Sequence, residues 1–271
     1  MVATKVEADN IERFTDRYRL CCSPARLAVE SAALDADYGS TGYTTRAQAD
    51  LLARHLELGA DVLLADVGAG SGWPGLYFAR TTGCRVIGTD LPLDGLLRAR
   101  NRAASERLDG RAAYVVATGR AQPLRSRVFD AVVHTDVLCC LGPKLAVLRA
   151  CRQLLRSGGR MAFTTIHVAD GLDARSHRLA VKAGPFHVGI RRPYRRLVEQ
   201  AGFVDIVEED VTPDYASTQQ AWLDASTAHA DELRRLTSDA DFAVAQADRR
   251  RARDAIADGL LRRSLFVATA P

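Results

Sequence analysis

Lysine is nearly absent from this chain of 271 residues: Lys5, Lys144 and Lys182 are the only lysines among 37 basic residues, and the rest are arginines. Arginine grips phosphate and carboxylate as a bidentate fork, so such an excess raises the question of a nucleic-acid partner. A GC-rich coding bias would give the same excess together with the many alanines, and it is the favoured explanation. Acidic residues number 33, which leaves a formal net charge of +4. The chain also lacks any run of 18 or more apolar residues of the kind a membrane helix needs, so no membrane partner is expected. Residues 1–10 have neither the basic start nor the apolar stretch of a secretory signal, which makes a cytoplasmic protein the expectation. The six cysteines include no C-x-x-C, and no Cys/His cluster has zinc-site spacing. Cys21-Cys22 and Cys139-Cys140 are adjacent, a spacing that strains a disulfide, while Cys84 and Cys151 fall in apolar patterns. Reduced thiols and no metal site follow. No repeat, low-complexity tract or Pro/Ser-rich linker divides the sequence.

What is present is a globular composition, 47% hydrophobic and 26% charged, on a chain long enough for a sizeable core. Residues 11–34 read as helical around Pro24, and Thr44-Thr45 caps a helix that Gly59 ends. Strands are then expected at 62–67, 84–89, 112–117, 129–134 and 160–166, with helices at 76–82, 93–108 and 144–155 and a turn at Ser157-Gly158-Gly159 between the last helix and strand. Beyond His167 the periodicity stops, and 168–192 reads as an irregular insertion. A helix at 193–201, a strand at 203–208, helical stretches at 216–236 and 239–262 and a strand at 264–268 complete the chain. Such βαβ alternation predicts an α/β, doubly wound, Rossmann-like and mostly parallel sheet. One domain over 1–271 is the economical division. It comprises a helical cap (1–60), a cofactor-binding half (61–167), an insertion (168–202) and a C-terminal half of the sheet with its helices (203–271).

The strongest local signal is Asp66-Val67-Gly68-Ala69-Gly70-Ser71-Gly72-Trp73-Pro74-Gly75, between the first strand and the first helix of the alternation. An open α/β sheet binds its ligand there, with glycines letting the backbone approach and the helix start offering free N–H groups. Asp90 closes the second strand, where a carboxylate can accept both hydroxyls of a ribose. Two cofactors fit at this level. Gly70, Gly72 and Gly75 match the dinucleotide pattern G-x-G-x-x-G, whereas Asp66 with Gly68, Gly70 and Gly72 gives D-x-G-x-G-x-G.

Further landmarks decide between them. Ala117-Thr118-Gly119-Arg120-Ala121-Gln122-Pro123-Leu124 precedes Phe129-Asp130, Leu155-Arg156-Ser157-Gly158-Gly159 precedes the fifth strand, and Ala201-Gly202-Phe203 follows Tyr194. In this order over 62–203, these segments resemble the class I S-adenosylmethionine (SAM)-dependent methyltransferases, small-molecule type (methyltransferase type 11-like). Tyr43-Thr44-Thr45 and Trp73-Pro74-Gly75 resemble a bacterial subgroup. The resemblance implies a seven-stranded sheet whose last strand lies antiparallel beside the fifth. It implies SAM as cofactor and S-adenosyl-L-homocysteine as product, with Asp66, Gly68, Ala69, Gly70, Gly72, Asp90, Leu91, Thr118, Gly119, Arg120, Thr135 and Arg46 around the cofactor. Thr118 stands where an acid commonly meets the adenine amino group, so Gly119 and Arg120 backbone groups would take that task.

Methyl transfer from a sulfonium is an in-line displacement that needs positioning and the exclusion of water, with a base only where the acceptor must lose a proton. His167 is the first choice as base because it ends the fifth strand, ahead of His134 and Asp136 after the fourth. Each has a structural alternative: a hydrogen bond orienting the cover, an inward strand residue and a turn cap, respectively. Tyr43, His187, Arg191 and Tyr215 are the candidate substrate contacts, and Arg46, Arg191 and Arg192 would meet an acidic substrate. The favoured function is transfer to a small-molecule acceptor by a monomer or homodimer. An RNA methyltransferase and a non-catalytic SAM-binding regulator are the alternatives. Nucleic acid is the weaker enzyme hypothesis, since [ND]-P-P-[YFW] is replaced by His134-Thr135-Asp136-Val137. In addition, Asp241, Asp248, Asp254 and Asp258 interleave Arg249-Arg250-Arg251-x-Arg253 as on a solvated helix face.

Overall fold

Strand and helix alternate through the middle of the chain behind a helical start. The computed structural model describes residues 5–190 and 192–271, with every side chain there except that of Val6. The helices α1 (Lys5–Leu20), α2 (Pro24–Leu34) and α3 (Arg46–His55) come first. They lead into β1 (Leu63–Val67), α4 (Gly75–Thr82), β2 (Arg85–Asp90), α5 (Leu93–Ser105), β3 (Ala112–Val116), β4 (Phe129–Thr135), α6 (Lys144–Leu154) and β5 (Leu155–Val168). The remainder runs α7 (Ala174–Ala183), α8 (Tyr194–Gln200), β6 (Val204–Asp210), α9 (Thr212–Ala228), α10 (Ala230–Leu236), α11 (Asp239–Ala257) and β7 (Leu261–Thr269).

One seven-stranded sheet has the order β3-β2-β1-β4-β5-β7-β6. The first five strands pair in parallel, and β7 lies antiparallel between β5 and β6. The strand order reverses between β1 and β4, and at such a switch point the carboxyl ends of the strands form a crevice. Alternate residues of each strand feed two cores. Leu64, Val133, Ala162 and Leu265 pack on one face with Leu52, Phe78 and Trp222, whereas Ala65, Val132, Phe163 and Phe266 pack on the other with Leu148 and Leu197. Among the described residues, no helix is long and apolar enough to cross a membrane.

Local chemistry explains the boundaries. The Ser23 and Thr45 hydroxyls accept the N–H groups of Arg26 and Gln48, capping α2 and α3. The expected turn at Ser157-Gly158-Gly159 is a register shift inside a longer β5, between the pairs Phe129–Leu155 and Ala131–Arg160. The stretch expected to be irregular contains α7, capped by the Asp173 carboxylate on the Ser176 N–H at 2.7 Å. Only Ala180 of α7 is buried, so little apolar periodicity announces the helix. The final strand starts at Leu261, not at 264, because β5 extends to Val168 and pairs that far.

Candidate active site

The crevice begins at the glycine loop. Gly68, Gly70 and Gly72 have φ of +81°, +52° and +100°, a region that favours glycine. The Gly68 and Ala69 N–H groups donate to the Thr89 carbonyl at 2.7 and 3.0 Å, which ties the loop to the end of β2. The Asp90 carboxylate follows, accepting the Gly70 N–H at 2.9 Å and the Leu91 N–H at 2.8 Å. Burial pushes its pKa up to about 6 despite these two donors. Asp66 is buried beneath the loop, and burial, with the Asp90 charge second, raises its pKa to about 8. Its Oδ2 has no hydrogen-bond partner, and a Cβ on Gly75 would come within 2.5 Å of it.

The loop at 38–44 is pinned over this floor. Glu30, buried in α2, accepts the N–H groups of Tyr38, Gly39 and Ser40 at 3.2, 2.6 and 2.9 Å. Burial raises its pKa to about 7 against the pull of those donors. Ser71 Oγ donates to the Gly39 carbonyl and Trp73 Nε1 to that of Thr44, at 2.9 and 2.8 Å.

Helix α1, in the stretch expected to form a helical cap, reaches across the crevice. Its Glu7 carboxylate accepts from Thr118 Oγ1 and from Arg120 Nε and Nη2. Asn10 Nδ2 donates to the Cys140 carbonyl at 3.0 Å. Tyr18 is buried, and a Cβ placed on Gly70 would lie 2.4 Å from its hydroxyl oxygen. The three expected adenosine contacts Thr118, Arg120 and Gly70 therefore all adjoin α1.

Arg263 was missed. It is fully buried, with Nε and Nη2 on the two carboxylate oxygens of Asp136 at 2.8 and 2.9 Å. It further donates to Gln48 Oε1 at 2.7 Å, Thr44 Oγ1 at 3.1 Å and Thr164 Oγ1 at 3.0 Å. The Tyr43 N–H also points to Asp136 Oδ2, at 3.0 Å. Both oxygens of Asp136 are thus engaged, so its expected role as a base gives way to that of an ion-pair hub. An arginine at 263 carries no local signal that it will turn inward.

Two other base candidates also move. His134 is fully buried and stacked on Phe163 at 4.5 Å between ring centroids, with neither ring nitrogen hydrogen-bonded. Burial lowers its pKa to about 3, and the core around it leaves no proton acceptor to serve. His167 points to the same sheet face as Phe163, away from the Thr164–Arg263 junction, because it is in phase with the odd positions of β5. There its Nε2 lies 2.9 Å from Ser264 Oγ, which donates to Glu208 at 3.0 Å. The residue fastens three adjacent strands and not the glycine loop.

Of the remaining candidates, Tyr43 and Tyr215 come together edge to face at 5.0 Å. Thr135 ends β4, paired with Thr164. Gly119 follows Thr118, with Leu141 and Val147 as its nearest side chains. The His187 N–H donates to the Cys139 carbonyl, and its own carbonyl accepts from the buried Lys144. Arg46 instead pairs with Asp35 at 2.8 Å, and nothing joins it to the glycine loop. Arg191 lies outside the described residues. Among the described residues no group of three or more His, Cys, Asp or Glu side chains could hold a metal.

Residues 65–163, from β1 into β5, match the family model described as "Methyltransferase domain". Over that stretch the chain is similar to methyltransferase domains. Methyltransferase GfsG of Streptomyces halstedii is 32% identical over 181 residues, 64% of each chain. The chain spans less than two thirds of the length of the curated relatives it matches, and 35% of a wheat phosphoethanolamine N-methyltransferase. The chain is also similar in fold to solved structures. Phosphoethanolamine N-methyltransferase 2 of Haemonchus contortus, in complex with SAM, superposes with a TM-score of 0.80 at 18% identity over 99% of this chain and 60% of that one. Geranyl diphosphate C-methyltransferase of Streptomyces coelicolor A3(2) gives 0.75 at 20% identity over 99% of both chains.

Proposed function

We propose that the chain is a SAM-dependent methyltransferase acting on a small-molecule acceptor and leaving S-adenosyl-L-homocysteine. The observation that carries this reading is the join of glycine loop and acid, where Asp90 holds the Gly70 N–H while each of its oxygens keeps a lone pair for a ribose hydroxyl. The residues present fit the cofactor: the glycine cradle has no room for a Cβ, and buried Asp66 Oδ2 beside it has no partner. Asp66, Gly68, Ala69, Gly70, Gly72, Asp90 and Leu91 would hold the adenosine and methionine parts, with Thr118, Gly119 and Arg120 at the base and Thr135 at the end of β4. Helix α1 lies against these residues, with Tyr18 packed on Gly70 and Glu7 bonded to Thr118 and Arg120.

SAM supplies an already activated methyl group. The protein then has to align a nucleophile and keep water out. Tyr43 and Tyr215 form an apolar wall for the acceptor, and His187 lies at the side of the crevice beyond Cys139. With Asp136 and His134 committed elsewhere, the acceptor is one whose nucleophilic atom needs no strong base from the protein. We read residues 1–271 as one domain, working as a monomer or homodimer in a bacterial cytoplasm. Titration calorimetry with S-adenosyl-L-homocysteine tests the cofactor site. Wild type should bind and Asp90→Ala should lose at least about tenfold in affinity, as expected when charge-assisted hydrogen bonds are removed, with its circular dichroism unchanged. Equal affinity in the two proteins would sink the ribose assignment.

A further inference from the structure

A buried carboxylate stands at the β3 end of the crevice. The register of β2 on β3 sets Asp90 beside Val116, and the Asp90 carbonyl accepts the Ala117 N–H at 2.9 Å. The turn that follows therefore begins against the acid assigned to the ribose. Its Ala121 N–H and Gln122 Nε2 fold back on the Thr118 carbonyl at 3.0 and 3.2 Å. The turn, Ala117-Thr118-Gly119-Arg120-Ala121-Gln122, contains no acid of its own. One reaches it from 111 residues earlier in the chain. Glu7 of α1 is only 6% exposed, and its carboxylate accepts from Thr118 Oγ1. Arg120 places Nε on one carboxylate oxygen and Nη2 on the other, at 2.9 and 3.0 Å. A two-pronged contact of this kind fixes the orientation of the carboxylate as well as its position.

The strand order β3-β2-β1-β4 sets the direction in which a nucleoside must lie. A ligand that rests on the glycine loop after β1 and gives its ribose to Asp90 after β2 carries its base outward, over the end of β3. Helix α1 follows the same line, with Tyr18 packed on Gly70 and Gly95 and Glu7 on Thr118. At the β3 end the protein offers acceptors. The exocyclic amino group of adenine has two N–H donors, and an ionised carboxylate only accepts. Gln122 Oε1 is a second acceptor there, buried and without a partner. The nearest side chains to Gly119 are Leu141 and Val147, which make that flank of the turn apolar.

We infer that Glu7 accepts the exocyclic amino group of the cofactor's adenine and that Arg120 holds the carboxylate in place for it. The inference rests on the methyltransferase reading of the crevice. It gives α1 a part in choosing the nucleotide. Hypoxanthine in place of adenine would present a carbonyl oxygen at the same point, so that two acceptors would face each other. The task expected of the Gly119 and Arg120 backbone groups passes to a side chain of the helical cap.

The test is a cycle of proteins and ligands read by titration calorimetry on the full chain. S-Adenosyl-L-homocysteine and its deaminated analogue S-inosyl-L-homocysteine are titrated into wild type, Glu7→Gln and Glu7→Ala. Wild type should bind the adenine form at least about tenfold more tightly, the worth of one hydrogen bond to a charged group. Glu7→Gln can turn either its oxygen or its NH2 to the base, so the ratio should fall to within about threefold. Glu7→Ala should lose affinity for the adenine form alone. Adding Thr118→Asp to Glu7→Ala should bring the preference back, because a carboxylate then stands on the same turn. If Glu7→Ala does not fold, Glu7→Gln keeps the side-chain volume and decides the matter. A carboxylate that only braces α1 would weaken both ligands equally and leave the ratio unchanged. That result would overturn the inference, as would a preference lost in Gln122→Leu but kept in Glu7→Gln. Binding of both ligands by wild type without preference would sink this inference alone, whereas binding of neither would sink the methyltransferase reading and the inference with it.

Discussion

Replacing Arg263 with methionine removes one charge from the junction of α3, β4, β5 and β7 while keeping most of the side-chain volume. The variant leaves Asp136 buried with its two shortest partners gone, and strands Gln48 Oε1 and the hydroxyls of Thr44 and Thr164. Removing one member of a buried ion pair costs ~3–5 kcal/mol, because the other charge stays behind. An unfolding entropy of ~2.1 cal/mol/K per residue gives ~0.57 kcal/mol/K for a chain of 271 residues. The expected fall in Tm is therefore ~5–9 °C by differential scanning calorimetry without ligand. Asp136→Leu should lose a comparable amount. The double variant should be less damaged than the sum of the two by ~1–3 kcal/mol, since no lone charge remains. A melting point within ~1 °C of wild type for Arg263→Met, or strictly additive losses, would refute the hub as described.

Two further perturbations read other parts of the core. His134 has a folded pKa of about 3 against an ordinary 6.5, so the unfolded chain binds the extra proton and stability falls as pH drops from 6.5 toward 3. At pH 5 that is ~2 kcal/mol, and His134→Leu should flatten Tm against pH over that window; parallel curves for the two proteins would contradict it. Glu30→Gln offers one acceptor oxygen where three backbone N–H groups converge, and should lower the urea midpoint by the equivalent of ~1–3 kcal/mol with an unchanged slope. An unmoved midpoint would mean that the loop at 38–44 does not depend on that carboxylate.

The parts of the fold legible in the sequence were those in which periodicity and glycine chemistry act locally. The five parallel strands, α4 to α6 and the glycine loop have apolar runs bounded by turn residues, and the antiparallel β7 followed from the family resemblance. Helix α7 was not legible because its buried face is a single alanine. In the site, Asp66, Asp90 and the glycines sit where their spacing placed them, at the ends of β1 and β2. The base candidates failed for a different reason. Whether a histidine after a strand faces the crevice or a core depends on strand phase, and whether an aspartate is free depends on a partner 127 residues away. Long-range pairing of that kind leaves no local trace. Arg249 makes the same point in reverse: its acidic neighbours suggested a solvated face, yet those acids bind Arg251 and Arg253 and leave it turned onto Trp222.

The place of β7 also bears on how the protein is made. The seventh strand of the sheet in chain order is inserted between β5 and β6, and β6 pairs with nothing else among the described residues. Until residues 261–269 leave the ribosome, β5 presents an open edge, β6 has no sheet to join, and Asp136 waits uncompensated for Arg263. Open strand edges on a nascent chain invite pairing with other chains. A chain stopped short of Leu261 would therefore accumulate as aggregate or be degraded, and not persist as a smaller protein built on the parallel strands.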